Sequence, residues 1–367
     1  MHPHAYDLEL LGWTAELAAA FEPYAVAGLA AGRVGAQHRG AYVLYTQGGD
    51  LPAELTGSLR YTAAPVDLPT VGDWVAARAL PGEQRAVIEA VLPRRTAFSR
   101  NDADLTRSAS GVAHEQVIAA NIDVVLLVSA LVSDLSLRRL ERYLSTAWES
   151  GADPVVVLTK LDLCDDVPAR LAEVEAVVFG VPVVAVSNVT GQGLDELRPL
   201  LGPGRTAALL GSSGVGKSSL VNRLLGQDVQ VVREIRADGR GRHTTTHREL
   251  FLLPGGGLVL DTPGLRVLQL LDAGAGLETA FQDVEEVAGR CRFGDCRHET
   301  EPGCAVRDAI DSGELDPERL ASYVKLQREV AFVERKGDKR AQSEVRKRWR
   351  GVSRESRQRD AVRRRPR

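Results

Sequence analysis

The run LLGSSGVGKSSL, Leu209 to Leu220, sets Gly211, Gly216, Lys217 and Ser218 at the spacing G-x-x-x-x-G-K-[ST]. Glycines there let consecutive backbone N–H groups converge on phosphate oxygens, and a helix starting near Lys217 adds its positive end. The turn Gly211, Ser212, Ser213, Gly214, Val215, Gly216, Lys217, Ser218 and Ser219 therefore reads as a nucleotide cradle. In it the Lys217 ammonium neutralises the β- and γ-phosphates and the Ser218 hydroxyl ligates Mg2+. Downstream, VLDTPG ends an apolar strand on Asp261, placed to reach Mg2+ through a water, and Gly264 offers its N–H to the γ-phosphate. Between these motifs the polar stretch Ile235 to Arg248 carries Thr244, Thr245 and Thr246. One of the three supplies a second hydroxyl to Mg2+, and Thr246 is favoured. The residue after DTPG is Leu265, in a neighbourhood where Ras-like enzymes carry a glutamine that positions the attacking water. Leucine cannot do this, so hydrolysis depends on another group or waits for a partner. His243 is the internal candidate, with an ordinary pKa near the working range; contact with RNA or solvent is its other reading. The expected catalytic set is Lys217, His243 and Thr246.

A second motif, TKLD at Thr159, Lys160, Leu161 and Asp162, follows an apolar strand. A carboxylate there accepts two hydrogen bonds from guanine N1–H and N2–H2, and a buried carboxylate left unpaired against adenine rejects ATP. Lys160 is expected to lie along the ring and brace the phosphate loop. After one more strand, VSNVTG offers the backbone of Ser187 or Asn188 to guanine O6. The base-reading half thus precedes the phosphate half, the reverse of the usual order. Loops at the C-terminal ends of parallel strands gather at one sheet edge wherever the chain begins, so both motifs serve one site. Joining the old termini through GPGRT, Gly202 to Thr206, produces this order; the domain is expected to be circularly permuted.

Cys291, Cys296, His298 and Cys304 form C-x4-C-x-H-x5-C. Three thiolates and an imidazole suit tetrahedral Zn2+ with no open position, a structural staple for a module with little core. Cys164 stands apart, with no second soft ligand near it in sequence, and is expected to be inert.

The elements that must position these groups follow from apolar patterning. Residues 1–30 are expected to be a peripheral helical segment, with the pattern running through LELLGWTAELAAAF. Residues 31–105 carry short β-prone pieces, GRVGAQHRGAYVLYT, LTGSLRYTA, GDWVAARAL and QRAVIEAVL, which predict a small closed barrel, OB-like or SH3-like. Trp74 there is a core residue or a base-stacking platform. Residues 106–275 alternate apolar strands with amphipathic helices, the signature of a parallel α/β sheet covered on both faces, closed by the pair THRELFLLP and GGLVLDTPG. Residues 276–334 hold the cysteine cluster and a helix over DPERLASYVKLQREVAFVE, and residues 335–367 are a basic tail.

The chain has 367 residues with 44% hydrophobic side chains, enough for several cores. Its apolar runs are too short to span a bilayer, and the N-terminus lacks a secretory pattern, so a cytoplasmic protein without membrane partners is expected. Of 46 Lys+Arg and 49 Asp+Glu, residues 335–367 hold 15 and 4, a net +11, leaving the remainder at −14. A basic tail on an acidic body suits a polyanion such as RNA; a solvated tail is the alternative.

The order TKLD, VSN, GSSGVGKS, GRHTTT, DTPG, behind a barrel and ahead of a Cys/His knuckle, resembles the circularly permuted GTPases that depend on the small ribosomal subunit. The resemblance covers nearly the whole chain. It implies an OB-fold, a permuted P-loop GTPase domain and a mainly helical zinc domain in series, and a late role in small-subunit assembly. Binding to that subunit and its rRNA, stimulation of GTP hydrolysis by it, a monomeric state, Mg2+ with GTP or GDP, and one structural Zn2+ come with it. SNVTG departs mildly from the Ser-Ala that the family often carries. A second reading is an RNA-binding assembly factor in which GTP is mainly a conformational ligand.

Overall fold

A computed structural model of the chain describes residues 5–38, 40–80, 82–102, 114–178, 180–226, 248–261 and 274–331. Helix α1 (Ala15–Val26) begins where the Thr14 hydroxyl accepts the Leu17 N–H at 3.3 Å. The N-terminal segment is therefore helical over a shorter stretch than its pattern suggested, and it is not peripheral. Leu11 is fully buried, and Trp13 packs edge-on against Trp74 with ring centroids 4.7 Å apart. Its apolar side chains extend the barrel core instead of skirting it.

The barrel consists of β1 (Ala30–His38), β2 (Ala41–Thr46), β3 (Gly49–Leu55), β4 (Trp74–Leu80) and β5 (Arg85–Val91). The strands run β1-β2-β3-β5-β4, and β4 pairs back onto β1 from Ala30↔Ala77 to Arg33↔Trp74. Closure removes the exposed edges, and the parallel β3–β5 pair with a helix after β3 gives the OB-like arrangement. That helix corrects one expectation: LTGSLRYTA is not a strand. Thr56 accepts the Leu59 N–H at 3.2 Å and starts α2 (Gly57–Thr62), because a threonine hydroxyl bonding three residues ahead nucleates a helical turn. Trp74, 1% exposed, is a core residue, which removes the stacking alternative.

A hairpin of β6 (Ala97–Asp102) and β7 (His114–Ala120) leads out of the barrel. The α/β unit follows as β8 (Val124–Ala130), α3 (Leu137–Glu149), β9 (Asp153–Thr159), α4 (Val167–Glu175), β10 (Val183–Ala185), α5 (Leu194–Leu197), β11 (Thr206–Leu210), α6 (Lys217–Leu225), β12 (Arg248–Leu252) and β13 (Leu258–Asp261). Its strands lie in the order β10-β9-β8-β11-β13-β12, parallel except for β12. Alternate residues of each strand enter different cores. Val124, Leu126 and Val128 pack with Leu194 of α5 and Leu220 of α6; Val125 and Leu127 join the core that includes Leu140 and Leu144 of α3. Burial on both faces is why these strands read as unbroken apolar runs.

Strand β12 also pairs antiparallel with β1 of the barrel, Ala36↔Glu249 and Gln37↔Arg248, and the Tyr45 hydroxyl donates to Leu250 O at 2.8 Å. Barrel and α/β unit thus share one 11-stranded sheet. The chain continues through α7 (Gly274–Ala280), α8 (Gln282–Ala288), α9 (Ala305–Ser312) and α10 (residues 317–331), the last being the helix expected after Asp316-Pro317.

Candidate nucleotide site and metal knuckle

Parallel pairing of β8 with β9 and of β8 with β11 brings the loop after β9, which carries TKLD, to the same sheet edge as the loop after β11. Gly216 has φ +97°, and a Cβ there would lie 2.9 Å from Asn188 Nδ2; a Cβ on Gly211 would lie 2.2 Å from Val128 O. Gly211 admits no side chain and Gly216 would hold one only under backbone strain, so the backbone itself lines the loop. Val215 anchors the loop, 1% exposed, while Ser213, Gly214, Ser218 and Ser219 are exposed and Ser212 is half-buried. The Lys217 ammonium donates across the turn to Gly211 O at 2.7 Å and to Ser212 O. Anionic phosphate oxygens make stronger acceptors than these neutral carbonyls.

The loops after β9 and β10 grip the loop after β11 from behind. Thr159, fully buried, donates its hydroxyl to Val215 O at 2.5 Å, and Asn188 Nδ2 donates to Gly216 O at 3.0 Å. Asp162 lies in a 3-10 turn, Leu161–Leu163, just past β9. It is exposed rather than buried; its Oδ1 accepts the hydroxyl of fully buried Ser187 at 2.5 Å. Ser187 Oγ in turn accepts the N–H groups of Val189 and Thr190. Lys160 has φ +62°, and its ammonium donates to Ser133 Oγ at 3.2 Å, not to the phosphate loop. The roles of the Ser187 hydroxyl and the Asn188 amide were missed in sequence, where only their backbone was considered. Their partners lie 25 and 28 residues away, and no periodicity marks such a pair.

Asp261 ends β13, the parallel neighbour of β11, so the backbone brings it to the same sheet edge as the loop between β11 and α6. His243, Thr244, Thr245, Thr246, Gly264, Leu265 and the basic tail lie outside the described residues.

In the knuckle, the candidate ligand atoms of Cys291, Cys296, His298 and Cys304 all lie within 4.8 Å of one another. His298 Nδ1 is 3.7 Å from Cys291 Sγ and 3.5 Å from Cys304 Sγ. Such separations match the edges of a tetrahedron with ligands about 2.0–2.3 Å from its centre. His298 takes a left-handed backbone, φ +62°, in a loop whose Arg297, Glu299 and Thr300 N–H groups all donate to the Glu301 carboxylate. Its own backbone N–H and these donors lower the Glu301 pKa to about 2. Partial burial pushes the Cys291 thiol up, but the N–H groups of Val306 and Ala305 at the start of α9 and the neighbouring thiols outweigh it, so its pKa falls. Cys296, pushed by burial and by those same thiols, rises to about 11. N–H groups at a helix N-terminus favour the thiolate form of Cys291, the form that binds a metal.

One functional connection carried no sequence signal. Arg319 of α10, 4% exposed, donates to Glu141 Oε1 of α3 at 2.7 Å, to both carboxylate oxygens of Asp283 at 2.9 Å, and to Ala280 O at 2.7 Å. Its guanidinium also lies 4.3 Å from the Phe281 ring centroid. The helices beside the knuckle are thereby clamped to the α/β unit.

A family model described as RsgA GTPase matches residues 91–271. The small ribosomal subunit biogenesis GTPase RsgA of Opitutus terrae is 48% identical, with 97% of this chain and 98% of that protein covered. The protein of the same name from Streptomyces coelicolor is 46% identical, with 95% and 93% covered. The crystal structure of YjeQ from Thermotoga maritima matches with a TM-score of 0.60 at 28% identity, covering 83% of this chain and 99% of that one. The crystal structure of YloQ, described as a circularly permuted GTPase, shares the fold with a TM-score of 0.59 at 24% identity.

Proposed function

We propose, from the premise that this chain belongs to the RsgA GTPase family, that it hydrolyses GTP as a late maturation factor seated on the small ribosomal subunit. It is a GTPase of small-subunit biogenesis; the bound partner, the timing and the residue roles are our reading. The observation that carries the nucleotide assignment is the pair of bonds from Thr159 to Val215 O and from Asn188 to Gly216 O. On this reading they tie a guanine reader to a phosphate loop although the chain visits the two in inverted order.

On this reading the backbone N–H groups of the Gly211–Ser218 turn receive the phosphates, and the Lys217 ammonium exchanges its carbonyl partners for β- and γ-oxygens. Asp162, held by Ser187, accepts guanine N1–H and N2–H2. Binding of the base then buries a carboxylate that adenine would leave unpaired. Ser218 and Asp261, with Thr246, would hold Mg2+, which when bound spreads charge over the phosphate oxygens. Cys291, Cys296, His298 and Cys304 would hold Zn2+ as a structural ion, their full donor set leaving no position for substrate. His243 orients the attacking water, and Leu265 leaves intrinsic turnover low until the small subunit binds. The basic residues beyond Arg335 add affinity for rRNA phosphates.

The test is GTP turnover by the purified protein alone and with small subunits, large subunits or free RNA. Stimulation by small subunits alone supports the proposal; equal rates in all four conditions overturn it. Competition by ATP as strong as by GTP would remove the guanine assignment.

A further inference from the structure

We infer that Asn188 is a positioning residue that couples recognition of the guanine base to the shape of the phosphate loop. The inference rests on the guanine-nucleotide reading above. A peptide unit is planar, with its C=O and N–H pointing in opposite directions. Holding Gly216 O therefore sets the direction of the Lys217 N–H, and holding Val215 O sets that of the Gly216 N–H. Asn188 holds the first of these carbonyls and Thr159 the second. Both grips come from the loops that read the base.

The two grips differ in what lies behind them. Thr159 is fully buried at the end of β9 and belongs to the rigid sheet. Asn188 sits instead in the turn organised by the Ser187 hydroxyl, which bonds Asp162 Oδ1 and also receives the Val189 and Thr190 N–H groups. A base bound on Asp162 immobilises this carboxylate, the carboxylate immobilises Ser187, and the turn carries that order through Asn188 to Gly216. Space is also set aside for the amide: a Cβ at position 216 would approach Asn188 Nδ2 to 2.9 Å. Moreover, Asn188 Oδ1 is buried and has no hydrogen-bond partner among the described residues. An unpartnered buried acceptor is unfavourable, and an alanine would avoid it. This chain carries the amide in spite of this, which a side chain serving only to fill space does not explain.

The inference predicts that Asn188 matters for ligands with phosphates and not for the base alone. In Asn188→Ala, Gly216 O keeps the helical bond from Leu220 N–H at 2.9 Å, so no carbonyl is orphaned and the fold persists. The lost order must then be supplied when phosphate binds. Calorimetric titration of the full-length protein with guanosine and with GDP reads the difference. GDP is expected to bind about five- to tenfold more weakly, the worth of one hydrogen bond, and guanosine within about twofold of wild type. The melting temperature should not move. Asn188→Ser, whose hydroxyl is too short to span to Gly216 O, should behave like alanine. The inference is overturned if guanosine and GDP weaken by the same factor, if neither weakens, if the serine variant binds GDP like wild type, or if the alanine variant melts early and loses both ligands. Wild-type protein that binds neither ligand would instead refute the nucleotide reading itself.

Discussion

Replacing Arg319 with leucine tests whether the knuckle helices are clamped to the α/β unit by a buried charge. Arg319 and Glu141 are 4% and 3% exposed, with a 2.7 Å ion pair between them. Burial alone would lower the Arg319 pKa, but Asp283 and Glu141 outweigh it and the net shift is upward, so the charge persists wherever the protein is folded. Breaking a buried pair from one side costs about 3–5 kcal/mol, since the remaining charge loses its partner without regaining water. Asp283, 23% exposed, rehydrates and adds little. Glu141 retains the Ser322 hydroxyl, which places the expected loss at the lower end, about 3 kcal/mol. Urea unfolding of zinc-loaded protein, followed by circular dichroism, measures it. Leucine at both 319 and 141 removes the stranded charge and should recover at least about 1 kcal/mol over the single variant. A single variant within about 1 kcal/mol of wild type, or a double variant no more stable than the single, would refute the reasoning.

Gly216→Ala combines φ +97° with a 2.9 Å approach to Asn188 Nδ2 and should weaken GDP binding at least tenfold, about 1.4 kcal/mol, in a fluorescent-nucleotide titration. Tyr45→Phe deletes the bond to Leu250 O that joins barrel to sheet and should cost about 1 kcal/mol in the same urea assay. Removing metal with a chelator should unfold the segment around Cys304, itself 3% exposed, and lower the melting temperature. Zinc affinity should fall as pH falls. With its metal-free pKa at about 11, Cys296 is a thiol at neutral pH, so zinc must displace its proton and calorimetry in two buffers should record proton release.

The Gly211–Ser218 turn was legible because strand, loop and helix are contiguous, and adjacent residues make up the motif. The knuckle was legible for a similar reason: its four ligands span 14 residues, and few donor sets of that type serve another purpose. Strands β8, β9 and β11 were legible from their unbroken apolar runs. By contrast, LTGSLRYTA has the composition of a strand, and a single hydroxyl at Thr56 decides for α2. The packing of Leu11 and Trp13 on the barrel was also hidden, because an apolar segment does not state which core it will complete.

Amino-acid types at short spacing were thus enough to mark out a GTPase domain and a Cys3His cluster able to hold a metal, and unbroken apolar runs the kind of sheet between them. Only the tertiary structure decided that Asp162 is steered by Ser187, that Asn188 reaches Gly216, that Arg319 meets Glu141 across 178 residues, and that β12 joins the barrel to the sheet. Local motifs are written by backbone periodicity and can be read one residue after another. Contacts between distant side chains depend on which strands become neighbours, and strand order is chosen by the burial of the whole chain at once.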